Sequence, residues 1–323
     1  MADPHGLLRE AVEAIVVRPP LSFSWFGAIA GAIPPRVRRG LTEAQLRLDL
    51  EERLARTLYA GFYSRGSAAP IPVSNAGSRP DDSFVRALSR ANRGVGCSDP
   101  GWRVLARNGS WAVVTKGGLA FTAANAPSSG SRVTVRLSNE RLRLAPGFYM
   151  AIGDRPLDMR HRFVRVYWNI DSAGAAPLVA AVTGLLNERG IPFRLKVANR
   201  PDEFARCDAA VLYARRSDRA LVWPIVDRVR LRLSSRLGLS VPAFTKSIAP
   251  GLAVAEEPPA GESFGMSRCR IVASALVRAA TGNARGTEER MLAIEHGFAE
   301  RGLDLRRPFL NARSRDVYPS LTR

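Results

Sequence analysis

The chain has 323 residues, of which 46% are hydrophobic, so it can bury the core of one large domain or two smaller ones. Its longest apolar stretch, Phe23–Pro34, is interrupted by serine, glycine and proline and is shorter than the roughly 18 apolar residues that a membrane helix needs. No membrane span is therefore expected. The net charge of +19 favours polyanionic partners but does not choose between nucleic acids and phosphorylated peptides.

The start of the sequence, Met1–His5, has no basic segment followed by an apolar run, so a cytoplasmic location is expected rather than export. Cysteine and histidine usage does not indicate a metal site, because three widely spaced cysteines form no CxxC pair and three histidines are scattered. The GxGxxG, GxxxxGK[ST], HExxH and GxSxG signatures are absent. We therefore expect chemistry that uses neither a metal nor a cofactor.

The first hundred residues are predicted to be mainly helical. Apolar spacing indicates an amphipathic helix over 6–17, a second helix that starts at the cap Thr42 and reaches 61, and a third over 82–91. Between 66 and 80 the chain is rich in serine, proline, glycine and alanine, which is typical of a loop or hinge and makes this the best candidate for disorder.

Short β-branched and aromatic runs follow. They predict an antiparallel sheet with strands at 102–106, 111–115, 119–122 and 133–137. Farther along, the patterns predict strands at 163–170, 193–197 and 209–214, helices at 176–188, 218–237, 263–280 and 287–301, and a loop at 241–259. Strict βαβ repetition is missing, so the expected class is α+β, with a helical region at 1–100 and an α+β domain at 101–323.

Arg165, Tyr167 and Asn169 alternate along the predicted strand 163–170 and therefore share one face. Alternation likewise places Lys196 on the same face as Arg194 in the strand 193–197. Burial beside apolar neighbours would lower the pKa of this lysine and make a general base available near neutral pH. The alternatives are a half-exposed edge strand and an ordinary exposed lysine.

Further cations lie near predicted strand and helix ends. Arg206 and Asp208 precede a buried strand that carries Tyr213, and they form either a structural ion pair or part of a substrate site. Ser263 is predicted to cap a helix whose first amides, together with Arg268, would bind a phosphate; the alternative is a capped helix with Arg268 and Arg270 in solvent.

Six segments of the sequence resemble the HopA-type bacterial type III effector family. They are RVYWNI, IPFRLKV, RCDAAVLY, VPAFTK, APGLAVAEEP and GESFGMSRCRIVASAL, and they span about 146–282. Actinobacterial members of that family occur in thioviridamide-type and class V lanthipeptide biosynthesis, beside an aminoglycoside-phosphotransferase-like kinase. The family is in turn similar to the phosphothreonine lyases, which implies a phosphothreonine-lyase-like fold.

The resemblance implies elimination of phosphate from phosphoserine or phosphothreonine in a precursor peptide, which leaves dehydroalanine or dehydrobutyrine. Such a carbon–oxygen lyase needs a base, a donor to the enolate-like carbonyl, and cations for the departing phosphate. Phosphothreonine lyases use a lysine and a histidine two residues apart on one strand, where this chain has Arg165 and Tyr167. The predicted catalytic residues are Arg165, Tyr167 and Lys196. The base is therefore predicted to be Lys196, or a Tyr167 phenolate whose pKa is lowered by nearby guanidinium groups.

The phosphate contacts that the resemblance implies are Arg206, Tyr213, Arg268 and Arg270, and Lys246 and Ser263 are predicted to bind phosphate with them. Two other functions stay open from the sequence. One is a non-catalytic module that binds the kinase and the precursor peptide. This function stays open because the chain and the kinase are expected to act as a complex. The other is nucleic-acid binding, which rests on the charge alone, without a helix-turn-helix, RNP or zinc-finger signature, and is not expected.

Overall fold

The computed structural model describes residues 4–30, 34–69, 79–124, 132–143, 145–157, 161–259, 262–282, 284 and 286–321. Helices and antiparallel strands are mixed along the chain, which confirms the α+β class. The helices are α1 (Pro4–Glu13), α2 (Pro35–Arg38), α3 (Glu43–Gly61), α4 (Asp82–Ala91), α5 (Ser172–Glu188), α6 (Arg219–Arg232), α7 (Phe264–Thr281) and α8 (Thr287–Ala299).

The strands form three sheets. They are β1 (Ile15–Arg18), β2 (Ser22–Trp25), β3 (Ala28–Ala30), β4 (Cys97–Asn108), β5 (Trp111–Lys116), β6 (Leu119–Ala124), β7 (Arg132–Leu137), β8 (Glu140–Arg141), β9 (Phe148–Ile152), β10 (Phe163–Trp168), β11 (Phe193–Ala198), β12 (Ala210–Arg215), β13 (Lys246–Ala249) and β14 (Leu252–Glu256). The sheet orders are β1-β2-β3, β6-β5-β4-β7 and β13-β14-β10-β12-β11-β9-β8. The third, seven-stranded sheet is called the large sheet.

The helices predicted over 42–61 and 82–91 are confirmed as α3 and α4. At the start of α3 the Thr42 hydroxyl accepts a hydrogen bond from the Gln45 amide, and the Gln45 side chain accepts one from the Thr42 amide, so both exposed amides are satisfied. The antiparallel sheet predicted over 102–137 is also confirmed, as β4 to β7.

Two predicted elements are wrong. The helix expected over 6–17 ends at Glu13, because the β-branched run from Ile15 enters β1 and pairs with β2. The loop expected over 241–259 contains β13 and β14, joined at Gly251, whose φ of +71° suits glycine. Pairing of β14 with β10 outweighs the local turn signals. Most of the segment predicted to be disordered, residues 70–78, lies outside the described residues.

Helices cover both faces of the large sheet. On one face, Phe264 of α7 packs 6.4 Å from the ring of Tyr167, measured between ring centres. On the other face, Trp223 of α6 packs against Tyr318, whose hydroxyl donates to the buried carboxylate of Glu256 on β14. Glu256 also accepts hydrogen bonds from Arg216 and from the amide of Asn311, so the C-terminal segment is bound to the sheet.

The start of α7 approaches the chain near Tyr63 so closely that only glycine fits at residue 265. A Cβ atom there would lie 2.3 Å from the Tyr63 ring. We predict that Gly265→Ala lowers the free energy of unfolding by about 1–3 kcal/mol, because the ring or the helix must move. Gly184→Ala in α5 is the control, since a Cβ there meets nothing nearer than 3.7 Å.

Chemical denaturation measures both variants. The control should be unchanged or up to about 1 kcal/mol more stable, as expected for alanine in a helix with room for its methyl group. Equal stabilities of the two variants would contradict the close packing of α7.

Candidate active site

One face of the large sheet gathers polar side chains from β10, β11 and β12. The register pairs Arg165 with Tyr213 and Tyr213 with Arg194, so alternation places these three residues on one face. Tyr167 and Lys196 form the next row on that face, on the strands either side of β12. We call this surface the site face. It brings together four of the site residues predicted from the sequence, namely Arg165, Tyr167, Lys196 and Tyr213.

Lys196 is the titratable side chain on the site face whose surroundings bring its pKa close to neutral pH. It is half-buried, and its Nζ lies 3.6 Å from the centre of the Phe148 ring on β9. Burial lowers the pKa of Lys196 to about 8, while Asp208 opposes this shift and Arg206 adds to it. In the part of the chain that the structure describes, no carboxylate forms an ion pair with this amine.

The lowered pKa of Lys196 confirms the prediction from the sequence, but its structural cause differs. Leu195 and Val197 alternate with Lys196 and therefore point to the opposite face of the sheet. The amine is instead desolvated by residues on its own face, Phe148 among them. An amine with a pKa near 8 is neutral in a useful fraction of molecules at neutral pH, so it can accept a proton.

Arg194 is a second cation on the site face, and the sequence analysis gave it no role. It is half-buried, and burial lowers its pKa. Among the described residues its guanidinium has no ion-pair partner. A half-buried guanidinium that the protein leaves without a carboxylate is suited to bind an anion from solution. Alternation in β11 already placed Arg194 beside Lys196, and this was the signal that could have identified it.

Arg206 forms the structural ion pair that the sequence allowed. Its Nε and Nη2 donate to the two carboxylate oxygens of Asp208 at 2.8 and 2.9 Å, and the Tyr59 hydroxyl donates to the same carboxylate at 2.9 Å. Burial alone would raise the pKa of Asp208, but Arg206 and Tyr59 hold it below the ordinary value. The guanidinium also lies over the Phe148 ring, so Arg206 reaches the surroundings of Lys196 while paired.

Arg165 and Tyr167 are buried at the covered end of the site face. Arg165 forms an ion pair with Glu257, donates to the carbonyl of Glu262 at 3.3 Å, and lies 5.1 Å from the ring of Tyr213. The half-exposed edge strand considered from the sequence is therefore wrong, because β10 lies inside the sheet. A role for Arg165 in holding the sheet and Tyr213 in place fits these contacts.

The expectation of a Tyr167 phenolate is also wrong. Burial raises the pKa of Tyr167 by more than the Arg165 guanidinium lowers it, so the phenol keeps its proton. Its hydroxyl is fully buried and, among the described residues, has no partner at hydrogen-bond geometry. Of the two bases considered, Lys196 is the one whose pKa suits the role.

Lys246 and Arg268 do not join the site face. Lys246 pairs with Val254 in the register and thus points to the opposite face, where it binds the carboxylate of Asp316 and the carbonyl of Tyr318. Arg268 is 2% exposed and donates to the carbonyls of Pro308 and Leu310. The sequence could not show these partners, because they lie 40 to 72 residues farther along the chain.

Ser263 and Arg270 lie near the start of α7. Ser263 occupies the N-cap position as predicted, but its side chain makes no capping hydrogen bond. Arg270 is bound by the carboxylates of Glu52 and Glu262, which satisfy its guanidinium. Neither residue shows the arrangement of a phosphate clamp, and their assignment as phosphate contacts stays a prediction. Over the described residues, no group of three or more histidine, cysteine or acidic side chains is arranged to hold a metal ion.

Comparison with known proteins places the chain in a family. A model of the HopA1 effector protein family matches residues 139–310, which include the whole large sheet from β8 onward and every residue of the site face. The chain belongs to the HopA1 effector protein family. The match confirms the resemblance noted in the sequence and extends it beyond 146–282 at both ends.

Two similar solved structures are effector proteins from Pseudomonas syringae. The protein from pathovar tomato strain DC3000 has 15% sequence identity and a TM-score of 0.47, and the protein from pathovar syringae strain 61 has 14% and 0.45. Each alignment covers 82% of this chain and 97% of the other. No curated protein matches the chain. Among the described helices of this HopA1 family member, none is long and apolar enough to cross a membrane.

The pKa of Lys196 can be measured directly because the chain has only three lysines. We predict that its reactivity towards an amine-acylating reagent rises with pH with a midpoint of about 8, because the neutral amine is the reactive form. Peptide mass spectrometry separates it from Lys116 and Lys246, whose ion pairs with Asp99 and Asp316 make them internal references. A midpoint near the ordinary value of about 10.4 would show that the site face is hydrated.

Proposed function

We propose that this HopA1 family member is a lyase that eliminates phosphate from phosphothreonine or phosphoserine in a peptide. The observation that carries the proposal is the pair of half-buried cations on β11. Lys196 has a pKa near 8, Arg194 shares its face, and neither has a carboxylate partner among the described residues. A proton acceptor beside an unneutralised guanidinium is what phosphate elimination requires.

The reaction assigns a role to each group. The neutral amine of Lys196 takes the Cα proton, the Cα–Cβ bond becomes double, and the Cβ–Oγ bond breaks with its electron pair leaving on phosphate. Arg194 binds the phosphate and stabilises the negative charge that it gains. The hydroxyl of Tyr213, which lies between Arg165 and Arg194 on the site face, donates a hydrogen bond to the substrate. Arg206, held by Asp208, lies near Lys196 and favours its neutral form, while Asp208 opposes this effect.

The substrate we propose is a phosphorylated precursor peptide of ribosomal origin, and the products are dehydrobutyrine and dehydroalanine residues. In this proposal a separate kinase phosphorylates the peptide before this chain acts on it. The sequence resemblance supports an aminoglycoside-phosphotransferase-like kinase that acts as a complex with this chain, at a cytoplasmic site of peptide maturation.

The central test is incubation of a phosphothreonine peptide with the purified protein, followed by intact-mass analysis. We predict that the peptide loses about 98 Da, the mass of phosphoric acid, and that Lys196→Ala slows this loss by about 100- to 10,000-fold, the usual effect of removing a general base. Lys116→Ala is the matched control, because Lys116 lies on β5 and forms an ion pair with Asp99.

Addition of the kinase distinguishes the proposed lyase from the non-catalytic binding module. If the phosphopeptide loses phosphate only when the kinase is present, and Lys196→Ala abolishes that loss, the lyase is active as a complex. If the phosphopeptide keeps its phosphate with the purified chain alone, and Lys196→Ala leaves the kinase-dependent elimination intact, the chain is a non-catalytic binding module and the proposal is wrong.

Substitution of Arg194 tests its proposed contact with the phosphate. We predict that Arg194→Gln lowers kcat/KM for elimination by about 10- to 100-fold, equivalent to about 1.4–3 kcal/mol for a lost charged hydrogen bond to phosphate. Arg228→Gln, an exposed residue of α6, removes the same charge away from the site face and should change little. Equal effects of the two substitutions would mean that only overall charge matters.

A further inference from the structure

A second group of cations surrounds a groove at the end of the large sheet, where β12 ends and β11 begins. The groove has a volume of about 600 Å³ and is lined by Arg155, Arg189 and Arg215, with one carboxylate, Asp218. Ile191 and Pro192 supply an apolar part of its lining. We call it the arginine groove. It is separate from the residues of the site face described above.

With three arginines and one aspartate in its lining, the arginine groove keeps an excess of positive charge. Within the described ranges, none of its three arginines forms an ion pair, and the Nε of Arg215 is buried with no hydrogen-bond partner. Asp218 accepts a hydrogen bond from Ser217 instead of binding one of these arginines. A buried guanidinium N–H without a partner is costly, so an anionic ligand that accepts from it would be stabilised.

The backbone brings two of these arginines together. Gly190, the residue after Arg189, has a φ of +60°, and a Cβ atom there would lie 2.9 Å from the Nε of Arg155. The guanidinium of Arg155 therefore rests against the turn between α5 and β11, next to Arg189. Both arginines are exposed, so a ligand can reach them from solvent.

The register gives the separation between the arginine groove and the site face. Arg215 lies two residues beyond Tyr213 on β12 and shares its face by alternation. Lys196 pairs with Val211, four residues before Arg215, so the two positions are separated by about 14 Å along the strand at about 3.4 Å per residue. An extended peptide covers this distance with about four to five residues.

We propose that the arginine groove binds acidic side chains of the phosphopeptide substrate, about four to five residues from the phosphorylated residue. Guanidinium groups bind carboxylates through two parallel hydrogen bonds, and an open groove admits a passing peptide chain. The proposal rests on the proposed function for the identity of the ligand. It adds a determinant of substrate choice that does not take part in the elimination itself.

Fluorescence anisotropy with labelled peptides tests whether the arginine groove binds acidic side chains, and it does not require turnover. The probes are two phosphothreonine peptides. One has glutamates four and five residues before the phosphothreonine, and the other has them four and five residues after it. Each is compared with a peptide that has glutamines at the same positions. The wild-type protein should bind one of the glutamate peptides roughly tenfold more tightly than its glutamine counterpart, as expected for two exposed ion pairs. Glutamates placed next to the phosphothreonine should give no such groove-dependent gain.

The triple variant Arg155→Gln, Arg189→Gln, Arg215→Gln should lose this preference. The charge-matched control is Arg103→Gln, Arg132→Gln, Arg228→Gln, which removes three exposed arginines elsewhere and should keep it. If both triple variants lose the preference equally, or if no glutamate peptide binds better than its glutamine counterpart, the inference is wrong.

Two further measurements distinguish a failure of this inference from a failure of the proposed function. One is the binding of unphosphorylated glutamate peptides, and the other is the rate of elimination from the phosphorylated peptides. If phosphate adds nothing to binding and no elimination occurs, but the glutamate preference persists and depends on the three groove arginines, the proposed function fails and the groove remains an acidic-peptide site. If elimination proceeds with equal efficiency on glutamate and glutamine peptides, the lyase stands and the arginine groove has no part in substrate choice.

Discussion

Strand β10 runs between β14 and β12 inside the large sheet, and all six of its side chains are buried. This burial decides how the chain can use its charged residues. Arg165 must keep an internal counter-ion, Glu257, because a buried guanidinium without one would be costly. Tyr167 must stay protonated for the same reason. The part of the site face that solvent and a substrate can reach therefore lies on the neighbouring strands β11 and β12.

The basic residues near the large sheet fall into two groups by their partners. Arg206, Lys246 and Arg270 are paired with carboxylates of the protein, and Arg268 is held by backbone carbonyls. These interactions stabilise the fold or position neighbours. By contrast, among the described residues no carboxylate forms an ion pair with Lys196, with Arg194 or with the three arginines of the arginine groove. Unneutralised positive charge is what a phosphorylated, acidic ligand would recognise.

Local sequence patterns correctly predicted features that depend only on residues close together in the chain. The cap at Thr42 fixed the start of α3, and strict alternation in β11 placed Lys196 and Arg194 on one face with a lowered lysine pKa. Long-range pairing was not visible in the sequence. The strands β13 and β14 looked like a loop because turn residues surround them, and Lys246 looked available because its partner Asp316 lies 70 residues farther along the chain. The family resemblance identified the segment that the family model matches, but it did not show which cations in that segment lack a carboxylate partner among the described residues.

The proposed elimination depends on one amine, that of Lys196, so the pH dependence of the reaction under single-turnover conditions is the most direct test. If Lys196 is the base, it can take the proton only when neutral, and its pKa is about 8, so the rate should rise with pH and level off above a midpoint of about 8. Replacing Lys196 should remove this rise. A rate that is constant or falls across that range in the wild-type protein, with phosphate still released, would show that another group takes the proton and would contradict the assignment of the base.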